Sequence, residues 1–595
     1  MNPGAAPWRK PRNPGAGIAG LLWLVLTCHC VAAAADEPIP ELKRALLALA
    51  PSVGAASETN PEALPLPVQS IVAAGNVEFS LAFANLIGEE RGRSNALVAI
   101  LNKAAMLADQ EQAHAVLDQT ERTSPELTGD PAKARVLAGC AVLAAKLGDA
   151  KRARDLLARA LTLTQKISVE AAQARVLASL TETATRLRDV GEARALLERA
   201  SNMTEKVADQ ATQARVFIRL AAPAAHSGDP ERGRGLLERA MQAANNMADD
   251  LAKAAVLGAV AEGAAQLGDA AQGRAVLQNL IDSMDGIENG LGKARLLASI
   301  ATAAAKLGDP PQGRAVLAQV VKAARGIDSE FTKARWLLIA LAGTAVNLGH
   351  TAQAGNLAEA ALRAADTLDS EFARVRVLES VAAAAAKIGE ADPAQARVLL
   401  SRVLEARNTI ADASLRPRVL IYVAQAAGKL RDPAQGRVLL DSVLAATASG
   451  YGEAEHAALF LALAETAAML GEPARAQALL AKAAQKVQDI NVELAKAHAQ
   501  IALAETARQL GDLTQARSAL KAVDAMRRQS GAERVTDPDL LRAVSVAASL
   551  QEWRWAITMA GELDGNNAKL EALSRVYVIW QSGQAADGKP PLQAQ

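Results

Sequence analysis

The sequence predicts an all-α protein, a right-handed α-solenoid of about twelve helix-turn-helix repeats. Three observations carry this. Apolar residues recur at helical spacing in run after run, as in ARLLASIATAAAKL (294–307). A short Gly-Asp corner returns about every 40 residues. Alanine and leucine dominate while aromatics make up 3% of the chain, which favours helices over strands. At 595 residues the chain is also too long for one compact core of ordinary size.

The first element is a targeting segment over 1–35. Arg9, Lys10 and Arg12 precede the apolar run IAGLLWLVL (18–26), and small residues follow in VAAAADE (31–37). That order is a cleavable export signal with its cut after Ala35. An uncleaved anchor is the other reading, and the short run with its A-x-A pattern argues for cleavage. GAGIAG (15–20) matches a phosphate-loop pattern but follows no strand, so it carries no weight. Residues 36–67 hold a short helix at 41–50 and a Pro-rich linker. The repeat array spans 68–582, and 583–595 has the composition of a disordered tail.

Inside the array the corners are Gly148-Asp149, Arg188-Asp189, Gly228-Asp229, Gly268-Asp269, Gly308-Asp309, Gly349-His350, Gly389-Glu390, Arg431-Asp432, Gly471-Glu472, Gly511-Asp512 and Gln551-Glu552. Weaker copies lie at Ala108-Asp109 and Gly75-Asn76. Gly suits the left-handed position that ends one helix. Asp suits the N-cap of the next, and a proline such as Pro230, Pro310 or Pro393 suits its first turn. Each unit is therefore two helices around a corner. Small residues hold fixed columns: Ala144, Ala184, Ala224 and Ala264 in the first helix, with Ala141, Thr181, Ala221 and Ala261 three residues earlier. In the second helix the column is Ala153, Ala193, Gly233, Gly273 and Gly313. Small side chains there let helix axes approach to about 8–10 Å. Large aliphatics such as Leu180, Leu220, Val260 and Ile300 fill the space between. Trp553, Trp555, Tyr577 and Trp580 gather in the last units, where they are expected to seal an exposed apolar end.

Units with small residues at those places and a Gly-Asp corner resemble tetratricopeptide repeats over about 500 residues of the chain. The period is 40 rather than the family's 34, and the family's large aromatics are replaced by residues such as Ala144 and Leu317. Helical repeats of the HEAT or armadillo kind are the other class considered. The resemblance implies a superhelix with a concave groove that binds protein partners, and it places two positions of the first helix on that groove. One holds Arg135, Arg175, Arg215, Arg295, Arg335, Arg376 and Arg418. The other holds Lys146, Arg186, Lys306, Lys387 and Lys429. By that resemblance the groove is basic, and Arg175, Arg215, Arg295, Arg335, Arg376, Arg418, Lys306 and Lys387 are candidate partner-binding residues for acidic segments. The bland reading is a structural ladder, in which acids such as Asp328 and Glu330 pair with these arginines. A second ladder, Arg154, Arg194, Arg234, Arg274, Arg314, Arg397, Arg437 and Arg517, opens the second helix. A cation there opposes the helix dipole, so it is expected to pair with acids of a neighbouring helix.

No catalytic or metal motif is present. His114, His226, His350, His456 and His498 are scattered singly. Cys140 occupies the column of Leu180, Leu220 and Val260, which predicts a buried thiol; Cys28 and Cys30 leave with the leader. The net charge of +1 gives no whole-chain argument for nucleic acid. The expectation is therefore a non-enzymatic exported scaffold, bacterial and periplasmic or secreted, without a cofactor, a nucleic-acid partner or a membrane span after signal cleavage. It would bind proteins or peptides, acidic segments included. The alternative is a component of envelope assembly or polysaccharide export machinery.

Overall fold

The corner between the two helices of a unit sets how they pack. The chain is described by a computed structural model covering residues 39–586 apart from 54–63, 75, 284–286, 308–317, 319–328, 333, 335–341, 344, 347–349, 448–450 and 531–535. The expected leader, Arg335, Arg314 and the corner at 308–313 lie outside the described residues. Gly148, Gly228, Gly268, Gly471 and Gly511 have φ of +86, +87, +74, +76 and +81°. Each ends a first helix in the left-handed region. The following amide then reaches back: Asp149 N–H donates to Ala144 O at 2.9 Å, and Asp512 N–H to Ala507 O at 2.8 Å. Asp149, Asp229 and Asp392 accept from the N–H groups of Arg152, Arg232 and Gln395 at 2.9, 2.9 and 3.0 Å. One residue type stops a helix and the next starts its partner. Arg188 and Gln551 occupy the same position at φ +56 and +63°, where a Cβ is strained.

The helices on either side are pairs such as Asp130–Lys146 with Ala150–Thr164, Gln210–His226 with Pro230–Asn245, and Glu453–Met469 with Pro473–Asp489. The described residues contain helices and no strand. The small columns do what their size allows. A Cβ at Gly273 would stand 2.7 Å from both Ala264 O and Leu307 Cδ2. One at Gly436 would stand 2.5 Å from Leu470 Cδ2. The second helix therefore lies against the backbone of its own first helix and against the corner leucine of the following unit. Ala144, Ala184, Ala224, Ala264 and Ala304 are buried, and Leu180, Leu220, Val260 and Ile300 have no exposed surface. The arginines that open second helices reach the next unit's corner. Arg437 Nε pairs with Glu472 at 3.2 Å, and Arg517 Nε with Glu552 at 2.9 Å.

First helices of successive units pack on each other more extensively than second helices do, so the first helices lie on the inside of the curve. The inner series runs from Leu66–Ala74 and Glu90–Ala104 through Asp130–Lys146 and its successors to Asp537–Ser549 and Gly565–Ala586. It continues through Glu330–Thr332, which touches both Gly290–Lys306 and Glu371–Gly389. The series then closes, because Gly565–Ala586 packs on Leu66–Ala74. The helix Ile39–Leu49 lies against both Gly565–Ala586 and Val77–Leu86, where the second helix of the last unit belongs. The last unit is thus built from both ends of the chain.

Of the aromatic residues in the last units, Tyr577 and Trp580 belong to helix Gly565–Ala586, and they fill this seam. Tyr577 is fully buried, with its ring centroid 5.0 Å from that of Phe79 and 6.0 Å from that of Trp580. Leu42, Leu46 and Ile71 are buried in the same contact, and Lys43 Nζ lies 5.6 Å from the Phe79 centroid. Burial pushes the Tyr577 hydroxyl up to about 12, against a hydrogen bond that Gln581 donates at 3.1 Å. A single hydrophobic core consequently runs from Leu42 to Trp580 through the array.

The corner geometry makes a signed prediction. Arg188→Gly relieves a strained left-handed residue, whereas Gly228→Ala creates one with no other atom in its way. Each change is expected to shift stability by about 1 kcal/mol, upward for the first and downward for the second. Thermal unfolding of the two variants checks this, and a loss of Tm in Arg188→Gly contradicts it.

Candidate functional site

Residues spaced by three and four along a first helix share one face. In the helix Glu170–Arg186 that face carries Arg175, Ala178, Ser179, Glu182 and Arg186. The same register recurs in the described units and places the arginine column, a mostly apolar column, a column that includes Glu182, Glu262, Glu465 and Glu505, and the terminal basic column on the inner surface. A furrow between neighbouring inner helices shows the arrangement. Ala254, Ala255, Gly258, Ala259, Glu262, Arg295, Ala298 and Ser299 line it. A second furrow at the helix ends is lined by Met106, Val142, Lys146, Arg186 and Leu187 among others.

The candidate partner-binding residues fall on this face in different states. Arg215 and Arg295 are exposed, Arg175 is half-buried, and Lys306 and Lys387 are exposed at helix ends. Arg335 lies outside the described residues. Arg376 and Arg418 are held in an ion-pair cluster. The face also carries acids that the arginine columns do not announce. Glu182 pairs with Arg219, Glu505 with Arg542 at 2.8 Å, and Glu465 accepts a hydrogen bond from Thr506 at 2.7 Å. Burial, helped by the charge of Glu505, raises the pKa of Glu465 despite the Thr506 bond. The inner face is therefore of mixed charge rather than a basic stripe.

The cluster at Arg376 and Arg418 is the departure from the repeat. Glu379 stands where other units have Ala138, Ala178, Gly258, Ala298, Ile421 and Leu461. Its side chain is 4% exposed. Arg376, one turn earlier, donates from Nη1 to Glu379 Oε2 at 3.0 Å. Arg418, on the next inner helix, donates from Nε to Oε1 at 2.9 Å. Phe372 lies beside both, with the guanidinium carbons 5.9 and 5.7 Å from its ring centroid, and it is 54% exposed. An ionised carboxylate in an otherwise apolar column survives burial only with such partners. The sequence signal that would have found it is the single acid in that column.

A third set of acids ties units together. Glu371, at the start of its inner helix, accepts the backbone N–H groups of Ala411 and Asp412 in the next unit's loop at 2.6 and 2.9 Å. Glu90 does the same with Gly129 N–H at 2.6 Å and the Thr128 hydroxyl at 2.6 Å. Asp250 accepts from Glu288 and Asn289 at 2.8 and 2.9 Å. The bonds to Ala411 and Asp412 hold the Glu371 carboxyl below its usual value. For Glu90, burial opposes the charge, but the bonds from Thr128 and Gly129 outweigh it and the shift is downward.

The remaining candidates have quiet environments. Cys140 is fully buried, and burial pushes its thiol up to about 12. His226 Nδ1 lies 2.7 Å from Ala222 O within its own helix. His498 meets the buried Asp539, which also accepts from Thr536. Among the described residues no group of three or more His, Cys, Asp or Glu side chains is placed to hold a metal ion. No described helix is long and apolar enough to cross a membrane.

The two-helix units, the corner and the small columns together settle the architecture. It is an α-helical repeat protein whose units resemble tetratricopeptide repeats. No family model and no curated protein matches the chain. Solved structures similar to it include Ton1535 from Thermococcus onnurineus NA1, at 11% identity over 58% of this chain and 98% of that one, with a TM-score of 0.28. A Rap protein complexed with competence and sporulation factor is 13% identical over 67% and 98%, with a TM-score of 0.21. A STAND protein with a tetratricopeptide repeat sensor, from Pyrococcus horikoshii, is 12% identical over 69% and 72%, with a TM-score of 0.23.

The inter-unit carboxylates predict an acid-sensitive array. A carboxyl whose folded pKa is depressed adds stability that is fully present above its ordinary value of 4.5 and is lost as the pH falls toward the folded value. The double variant Glu90→Gln, Glu371→Gln is expected to lose less Tm than the parent chain between pH 7 and pH 3.5. An equal loss in both proteins contradicts the inter-unit role.

Proposed function

We propose that the chain is an exported, non-enzymatic scaffold that holds protein or peptide partners along its inner face. The observation that carries this is the inner surface itself. Exposed Arg215 and Arg295, the Glu379 cluster with its exposed Phe372, and the acids of the neighbouring columns lie along one continuous curve of helices. Extended solenoids bind in this way, because one long surface meets a partner at many weak points. Export is supported by the basic and apolar order of residues 9–26 and the small residues before Asp36. That order supports a location in a bacterial periplasm or outside the cell.

The closed course of the inner helices favours one second reading, a component of envelope assembly or polysaccharide export. Roughly fourteen inner helices spaced by ~8–10 Å leave a central opening of roughly 25–35 Å. A linear polymer can thread such an opening by one of its ends.

Site-specific photo-crosslinking separates these readings. A photoreactive residue at Arg215 on the inner face is expected to capture protein adducts in the cell envelope. The same residue at Val438, exposed on a second helix, is expected to capture far fewer. Equal capture from both faces contradicts the scaffold reading. Adducts at Arg215 that resist protease and yield to a glycosidase move the assignment to the polymer.

A further inference from the structure

Glu379 is the one acid in a column that is otherwise apolar among the described residues, and its surroundings are not needed for stacking. The seam between Asp250–Ala265 and Gly290–Lys306 packs with Ala255, Gly258 and Arg295 at the corresponding places and has no acid where Glu379 stands. The acid at 379, and the charge at 376 that it engages, therefore call for another reason.

The charge balance is uneven. One carboxylate faces two guanidiniums, so the cluster carries one positive charge in surplus. The donors are uneven too. Arg418 engages Glu379 through Nε, and Arg376 engages it through Nη1. Both Nη groups of Arg418, and Nε and Nη2 of Arg376, have no acceptor among the described residues. The two side chains remain 39% and 31% exposed, so those groups face the inner surface. Glu379 fixes both forks in advance, which lowers the entropic cost of a further bond. Phe372, 54% exposed, supplies an apolar face beside the free donors.

We infer that Phe372, Arg376 and Arg418, positioned by the buried Glu379, form a subsite for a carboxylate side chain on an extended peptide, with an adjoining apolar residue lying on Phe372. The surplus of one charge matches a carboxylate, which neutralises the cluster, better than a dianionic phosphate. The fork geometry suits two oxygens in one plane. A bound carboxylate would complete a four-charge square of two cations and two anions. Glu379 does not touch the ligand and acts through the two arginines. This inference rests on the inner-face scaffold reading and names one place on it.

A displayed library of random dodecapeptides, panned against the full chain, tests the subsite. The enriched peptides are expected to carry Asp or Glu beside Leu, Ile, Phe or Trp. For a selected peptide, fluorescence anisotropy is expected to show at least a tenfold weaker Kd when its acid is changed to the amide. Arg418→Gln is expected to weaken it by a similar factor, and the two changes together to add little beyond either one. Glu379→Gln lowers affinity as well, whereas Arg363→Gln on a second helix does not. Phe372→Ala, a change at an exposed position, gives the same readout in a chain whose fold is undisturbed. Peptides that bind equally well to Arg418→Gln and Phe372→Ala overturn the subsite while leaving inner-face crosslinks from Arg215 intact. Binding of an oligogalacturonate that these variants lose, with no peptide enrichment, overturns the peptide assignment.

Discussion

A helical hairpin with two apolar faces buries one against the unit before it and one against the unit after it, so a linear stack always leaves two faces over. Everything else in the structure answers that constraint. The inner columns of alanine and the outer column of alanine and glycine bring neighbours close enough to exclude water. The two leftover faces then cover each other. Ile39–Leu49 supplies the second helix that Gly565–Ala586 lacks, and Phe79, Tyr577 and Trp580 fill the joint. Burying Leu42, Leu46 and Tyr577 there removes apolar surface on the order of what three core side chains contribute, several kcal/mol in all. An open array would leave that surface wet at both ends.

Much of this is written locally and some of it is not. The period, the Gly-Asp corner and the small columns depend on residues within about 40 positions of each other, and a reader can align them by eye. The closure depends on Phe79 meeting Tyr577, nearly the whole chain apart, and no periodicity links the two. Tryptophans and tyrosines clustered near the C-terminus signal an unusual surface, but they do not say what covers it. The two non-glycine corners are a subtler case. Arg188 and Gln551 keep the left-handed conformation because the Asp189 and Glu552 amides bond back to Ala184 and Ala547 as their glycine counterparts do. Context overrides the residue's own preference there.

The inner face shows the same division. The arginine columns are plain in the sequence, and they suggest one sign of charge. Their partners are not plain, because pairing crosses from unit to unit. Arg418 finds Glu379, Arg219 finds Glu182, and Arg542 finds Glu505, each between neighbouring inner helices. Exposed pairs of this kind add about 0–1 kcal/mol each, so they tune the surface more than they hold the fold. Glu379 is the exception, since its burial makes its two partners obligatory. The acid was visible as a break in an apolar column, and a reading centred on the arginines passes over it.

The central claim is that the two ends of the array meet. Spin labels on exposed Ala48 and Arg575, with Cys28, Cys30 and the buried Cys140 changed to alanine, measure this in solution by pulsed dipolar spectroscopy. Helices in contact have axes ~8–10 Å apart, so labels on their outer surfaces are expected within about 30 Å. A distribution centred beyond about 60 Å, as a linear stack of such units requires, would contradict the closed ring.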